Sequence, residues 1–230
     1  MPIYWILFIG IALASWIVSL NFKNKAKKYS QTPLDNGMTG KQIAEKMLYD
    51  NGIYDVSIIA TDGVLTDNYN PTNKTISLSS DIYNNSNVFA ASVAAHETGH
   101  ALQHALAYGP LKMRSALVPL VSYSSKWVTW ILLAGMLLVG SRPQIGSPIL
   151  LAGILLFATT TLFSFITLPV EINASTRALS WLSSAGITNM RNHSVAEGAL
   201  KAAAYTYVVA ALSSLATLVY YIMIYLGRRD

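Results

Sequence analysis

No cysteine occurs among the 230 residues. That excludes disulfides and thiolate metal sites, so any zinc bound here must be held by His, Asp or Glu. The absence also fits a reducing compartment. Charge is scarce: Asp, Glu, Lys and Arg make up 12% of the chain, about half the share found in an ordinary soluble domain. Hydrophobic residues reach 53%, which points to a membrane protein. Basic stretches interleaved with aromatics, the footprint of nucleic-acid binding, are missing, and so are internal repeats and low-complexity tracts.

What is present begins with four apolar runs, Ile3–Leu20, Ala116–Gly140, Ser147–Leu168 and Ala203–Leu226. A bilayer-spanning helix takes about 20 residues, so each run qualifies. In the first, the lysines at 23, 25, 27 and 28 follow the apolar stretch, the reverse of a cleavable signal peptide. Residues 3–20 therefore read as an uncleaved anchor with its N-terminus outside. Placing residues 21–115 and 170–202 in the cytoplasm, together with the nearby membrane ends that include Lys126, puts 13 of the 16 Lys and Arg on that side and leaves only Arg142, Arg228 and Arg229 outside. This is a positive-inside distribution, and it accounts for the net charge of +5. Arg228-Arg229 argues mildly against a complete crossing by the last helix.

Between the runs the pattern changes. A polar, basic linker is expected to about Asn36. Thr39-x-x-Gln42 is a capping-box start for a helix over 40–50, with Ile43, Ala44, Met47 and Leu48 as its apolar stripe. Asp55–Ala60 and Val64–Thr66 read as short strands about a turn at Thr61-Asp62-Gly63. Asn68–Asn73, with Pro71 and three asparagines, reads as loop. Lys74–Ser79 alternates as an edge strand would. Val88–Tyr108 is expected to be helical. The second and third runs form a membrane hairpin over 116–168, turning at Arg142–Gly146. Pro169 punctuates its end, and Glu171–Ser184 is expected to resume as a helix within a segment spanning 170–190. The last helix occupies 193–228.

The helix over 88–108 carries His96-Glu97-Thr98-Gly99-His100, an H-E-x-x-H pattern. Histidines four apart lie one turn apart on one helical face, so both imidazoles can grip one Zn²⁺. Glu97 can then take a proton from the attacking water. The residues before the motif, Phe89 to Ala95, are apolar, which buries the ligands, and a strand precedes the helix. A chance pair of surface histidines is the bland alternative.

A catalytic zinc needs a third protein ligand. His104 continues the same face, but eight residues at 1.5 Å each set it about 12 Å along the axis from His96. It reads as a residue supporting the site or facing substrate, or as a plain exposed histidine. His193 and Glu197 have no local signature. Glu171 is the best candidate, a lone carboxylate directly after an apolar run, where burial is costly without a partner. Two membrane crossings separate His100 from Glu171, an even number that returns the chain to the same side. Arg177 could pair with a carboxylate near the site, steady the substrate, or simply sit at the membrane boundary. Thr159, Thr160, Thr161, Ser164 and Thr167 could line a cavity or join helices. Tyr205 and Tyr207 could reach the site, although tyrosine at a membrane interface needs no such role.

The chain resembles the YugP-type neutral zinc metallopeptidases of bacterial membranes, and more distantly it is similar to HtpX and the CAAX prenyl proteases. The resemblance covers nearly the whole chain. It is carried by Leu65 to Pro71, Leu78-Ser79, Val93 to Gln103, Leu168 to Glu171 with Ala174-Ser175 and Arg177-Ala178, Glu197, and Ala202 to Val208. It implies that His96, His100 and Glu171 bind zinc and that Glu97 is the catalytic acid and base. The family pattern has His, Asp and Asp where this chain has Asn68, Asn70 and Asn173. A neutral Asn173 puts in question a role for that position in orienting a ligand histidine.

The expected architecture is a mainly α membrane protein. A zincin-like α+β catalytic unit with a small sheet, its upper half over 30–110, is fused to about four transmembrane helices. The expected activity is zinc-dependent endopeptidase action on membrane or membrane-proximal polypeptides, with the strand near Ile76–Ser79 pairing with substrate and the site facing the cytoplasm of a bacterial cell. Asn173, Arg177, His104 and Tyr205 are its candidate supporting residues. Two rivals remain: a zinc-binding membrane scaffold without turnover, against which the intact Glu97 argues, and a transporter or channel, against which the uncharged centres of the four runs argue.

Overall fold

In the computed structural model, residues 2–227 are described. Arg228 and Arg229, which entered the charge argument, lie outside them. Seven helices and a three-stranded sheet follow in chain order as α1 (Pro2–Tyr29), α2 (Gly40–Asp50), β1 (Ser57–Thr61), β2 (Asn68–Asn70), β3 (Thr75–Ser79), α3 (Ser80–Asn84), α4 (Val88–Ala105), α5 (Gly109–Ser141), α6 (Pro143–Ser184) and α7 (His193–Leu226). Four of these, α1, α5, α6 and α7, are long and apolar enough to cross a membrane.

The chain divides into two compact units. One comprises residues 1–15, 113–168 and 207–230, and the other 16–112 and 169–206. In the first, α5 and α6 form the expected hairpin, with Arg142 alone between them. Close helix approach needs small residues, and Gly146 supplies one: a Cβ there would stand 2.2 Å from the backbone nitrogen of Val139. Val128, Leu132, Val139, Leu150 and Ile154 form the buried seam. The Ser/Thr face of α6 joins helices and satisfies itself. Thr161 Oγ1 meets Ser214 Oγ at 2.7 Å, and Thr159, Thr160 and Ser164 donate to carbonyls of their own helix.

The second unit holds the sheet and α4. Its core packs the stripe of α2 (Ile43, Ala44, Met47, Leu48) with Ile76, Leu78, Phe89, Ala94 and Ala95, and with Ala178 and Leu182 from α6. The capping box at Thr39 forms as expected, with the Thr39 amide donating to Gln42 Oε1 at 2.9 Å.

Four local expectations are corrected. The basic stretch after Leu20 is no linker, because α1 continues through Lys28 to Tyr29. Lysine is a good helix former and nothing in 21–29 breaks the ladder. Pro169 does not end a helix, because α6 runs unbroken through it; a proline deletes one N–H, and neighbouring packing can carry the rest. Val64–Thr66 is a turn rather than a strand, with Leu65 at φ 59° and Gly63 at φ 103°. Asn68–Asn70, expected as loop, is β2.

The sheet order is β1-β3-β2, with β1 parallel and β2 antiparallel to β3. β3 is thus the central strand and not an edge. Thr75, Ile76, Leu78 and Ser79 are all buried, as a strand covered on both sides should be. β1 pairs along its whole length and β2 along Thr75–Ser77, which leaves little of it for a substrate strand. The chain passes from β1 over the end of β3 to reach β2, and Asp67 pins that crossing. Its Oδ1 accepts from the Ser79 amide at 2.7 Å and from the Ser79 hydroxyl at 3.1 Å.

Candidate metal centre

The H-E-x-x-H motif lies in the middle of α4, whose start is fixed by Asn87 accepting from the Ala90 amide at 2.8 Å. The alanines at 90, 91, 94 and 95 have no exposed surface to speak of, so the helix is packed tightly before the motif begins. Against its other face lies the part of α6 beyond Pro169. The two helices touch at backbone distance. A Cβ on Gly99 would stand 2.7 Å from the carbonyl oxygen of Ala174, so only glycine permits this approach. The closeness delivers Glu171, one turn earlier on α6, to the two histidines.

His96 Nε2 stands 3.2 Å and His100 Nε2 3.5 Å from Glu171 Oε2. Ligand atoms of the three residues lie within 4.8 Å of one another, a cluster able to hold a metal ion. Glu171 is 2% exposed, and a carboxylate at that depth needs positive charge beside it. The far ring nitrogens are also engaged. Ser175 Oγ meets His96 Nδ1 at 3.1 Å, and Gln103 Oε1 meets His100 Nδ1 at 3.0 Å. Both imidazoles are thereby turned with Nε2 inward. Two imidazole nitrogens and one carboxylate oxygen, with no sulfur, form a donor set suited to zinc, and the residues fit that ion.

Glu97 is buried beside the cluster, 8% exposed. Burial pushes its carboxyl above the ordinary glutamate range, with the neighbouring His100 and His96 opposing the shift. For His100, burial alone would lower the imidazole. The bond to Glu171 and the charge of Glu97 outweigh it and raise the net value.

The remaining expected residues divide. Asn173 joins the site: its Oδ1 accepts from Gln103 Nε2 at 3.0 Å and from Arg177 Nε at 2.8 Å. Arg177 thus meets an amide; a carboxylate partner was one of the readings open to it. His104 Nδ1 meets Tyr69 Oη at 2.8 Å, tying α4 to β2. Tyr205 is exposed on α7. Neither weaker candidate for third ligand belongs to the cluster. His193 Nδ1 meets Thr188 Oγ1 at 3.0 Å, and Glu197 pairs with Lys201 at 2.7 Å. Gln103 and Ser175 had no assigned role in the sequence reading. Gln103 is three residues from His100, on the same helical face, which was the available signal.

The family model described as "Putative neutral zinc metallopeptidase" matches residues 4–226. The chain belongs to this family. A relative from Bacillus subtilis (strain 168), "Putative membrane protease YugP", is 41% identical over 221 residues, covering 96% of this chain and 95% of the relative. No solved structure shows a significant match. Zinc is accordingly the cofactor of the family, and the His-His-Glu cluster is where this chain could bind it.

Proposed function

We propose that this protein is a membrane-bound zinc endopeptidase in which His96, His100 and Glu171 hold the metal and Glu97 is the acid and base. The observation that carries this reading is the convergence of three ligand atoms within 4.8 Å, with Glu97 buried beside them. Zinc, when bound there, supplies the positive charge that polarises a scissile carbonyl and acidifies water. Glu97 takes the proton from the attacking water and later delivers it to the leaving amine. Ser175 and Gln103 keep the two rings turned inward.

The catalytic unit is zincin-like in this reading. It combines residues 30–110, with the sheet and α4, and residues 170–190 of the returning helix. Substrate pairing moves from β3 to an outer strand. β2 is the better edge, because Tyr69 on it is bonded to His104 on the motif helix, and an extended peptide can add to such an edge. The positive-inside distribution turns this unit toward the cytoplasm of a bacterial plasma membrane, and the attached spans favour membrane or membrane-proximal polypeptides as substrates.

The test compares three variants of the full chain. Bound zinc is expected to be lost in His96→Ala and Glu171→Ala and kept in Glu97→Gln, while hydrolysis of an unfolded membrane-protein substrate disappears in all three. Full activity in Glu97→Gln would remove the hydrolase reading. Zinc retained by a wild type that cuts no polypeptide would favour the scaffold instead.

A further inference from the structure

Four side chains form a continuous chain of hydrogen bonds leading away from the candidate metal ligand His100. Arg177 Nε donates to Asn173 Oδ1 at 2.8 Å. Gln103 Nε2 reaches the same oxygen at 3.0 Å and the Val170 carbonyl at 2.8 Å. Gln103 Oε1 meets His100 Nδ1 at 3.0 Å. Gln103 is fully buried and His100 is 7% exposed, so water does not compete for the inner links.

The direction of every bond follows from the outer end. A guanidinium has donors only, so the Asn173 atom facing Arg177 is its oxygen. That oxygen also faces Gln103, which must therefore present its NH₂ group. The Val170 carbonyl, an acceptor only, demands the same orientation independently. With its NH₂ group turned outward, Gln103 presents its oxygen to His100, so His100 Nδ1 carries the hydrogen. Nε2, the atom 3.5 Å from Glu171 Oε2, is then the nitrogen turned to the candidate metal position.

We propose that Arg177, Asn173 and Gln103 are positioning residues that keep a hydrogen on His100 Nδ1 and so reserve its Nε2 for the metal position. This rests on the assignment of His100 as a ligand. A neutral imidazole left to itself can present either tautomer, and one of them would turn an N–H toward the ion. The chain removes that choice. Its outermost member cannot lose its proton under any physiological condition, so the imposed polarity does not change with pH. The asparagine at 173 needs only an oxygen able to accept two bonds, and no negative charge.

The experiment uses the full chain in detergent with its metal removed and Zn²⁺ as the probe. Nitrogen NMR of ¹⁵N-labelled histidine, at a pH where the rings are neutral, is expected to show His100 protonated at Nδ1 in the wild type. Zn²⁺ affinity, measured by competition with a chromogenic chelator, is expected to fall about 10- to 100-fold in Gln103→Met and Arg177→Met, with the Nε2–H form of His100 appearing in the spectrum. Asn173→Asp keeps an oxygen acceptor and is expected to keep both the tautomer and the affinity, whereas Asn173→Leu is expected to lose both. A wild-type protein whose His100 lacks a hydrogen on Nδ1 overturns the proposal without any variant, even if the variants fold poorly. Folded Gln103→Met and Arg177→Met proteins with unchanged tautomer and affinity overturn it as well. The ligand assignment fails separately: in that case His100→Ala itself keeps its zinc.

Discussion

His96 Nε2 and Glu171 Oε2 stand 3.2 Å apart across 75 residues of chain. The carboxylate is almost fully buried, and its neighbours on α6, Val170 and Ala174, are fully buried too. A negative group at such a place is held by partners, and the two imidazoles are the partners shown. An ion seated between them would cross-link α4 to α6 and thereby bind the folded state alone.

Metal removal should consequently destabilise the protein. A ligand at 100 times its dissociation constant adds about 2.7 kcal/mol to the folded state. Melting curves of the full chain in detergent should shift down on chelation and recover with added Zn²⁺. His96→Ala should show neither shift.

How far the sequence announced this centre depends on the kind of residue. The histidines were legible because a metal needs them one helical turn apart. Glu171 was legible because a lone carboxylate after an apolar run must have a partner. Gln103 and Ser175 were not, because a neutral polar side chain acquires its role only from the group it meets, here a ring nitrogen in each case. Asn173 was read by its missing charge, while the bonds it makes require only an oxygen. The sheet was misread for a related reason. Polar and apolar residues alternate in β3 as they do in an edge strand, but what makes it central is pairing with β1 and β2, and no local pattern records which strands lie on either side. Buried Ser79 passes as a surface residue until Asp67, twelve positions away, is seen to satisfy it.

Asp67 gives a pH prediction. Burial outweighs the bonds from Ser79 and raises its pKa above the ordinary aspartate value. An acid with a raised folded pKa keeps its proton longer in the folded state than in the unfolded one. Its stabilising contribution is full below the unfolded pKa of about 3.9 and is lost as pH rises through the folded value. Asp67→Asn cannot ionise and escapes that loss. Across melts from pH 4 to pH 8, wild type is therefore expected to lose stability relative to Asp67→Asn as pH rises above about 4. A difference that stays constant, or one of opposite slope, would contradict the assignment.

Tyr69→Phe removes only the hydroxyl that meets His104 Nδ1 at 2.8 Å. The expected cost is about 1 kcal/mol of stability. If β2 is the edge that receives substrate, the same change should raise KM more than it lowers kcat, because it loosens a strand and not the zinc ligands. Steady-state kinetics on a peptide substrate separates the two parameters. Equal loss in kcat would place Tyr69 among the groups acting on the reaction itself.

Gly99→Ala sets two effects of opposite sign against each other. In an ordinary helix interior, alanine is favoured over glycine by about 1 kcal/mol. At Gly99 the alanine methyl would meet the Ala174 carbonyl oxygen at 2.7 Å. Neither atom belongs to a flexible side chain, so relief requires α4 and α6 to separate, and overpacking of this kind costs about 1–3 kcal/mol. The net expectation is destabilisation at Gly99. Separation also draws Glu171 away from His96 and His100, so Zn²⁺ affinity should fall together with stability, although no ligand has been altered. Chelator competition on the folded variant tests the link. Unchanged affinity would mean that the backbone contact between the helices does not set the spacing of the three ligand atoms.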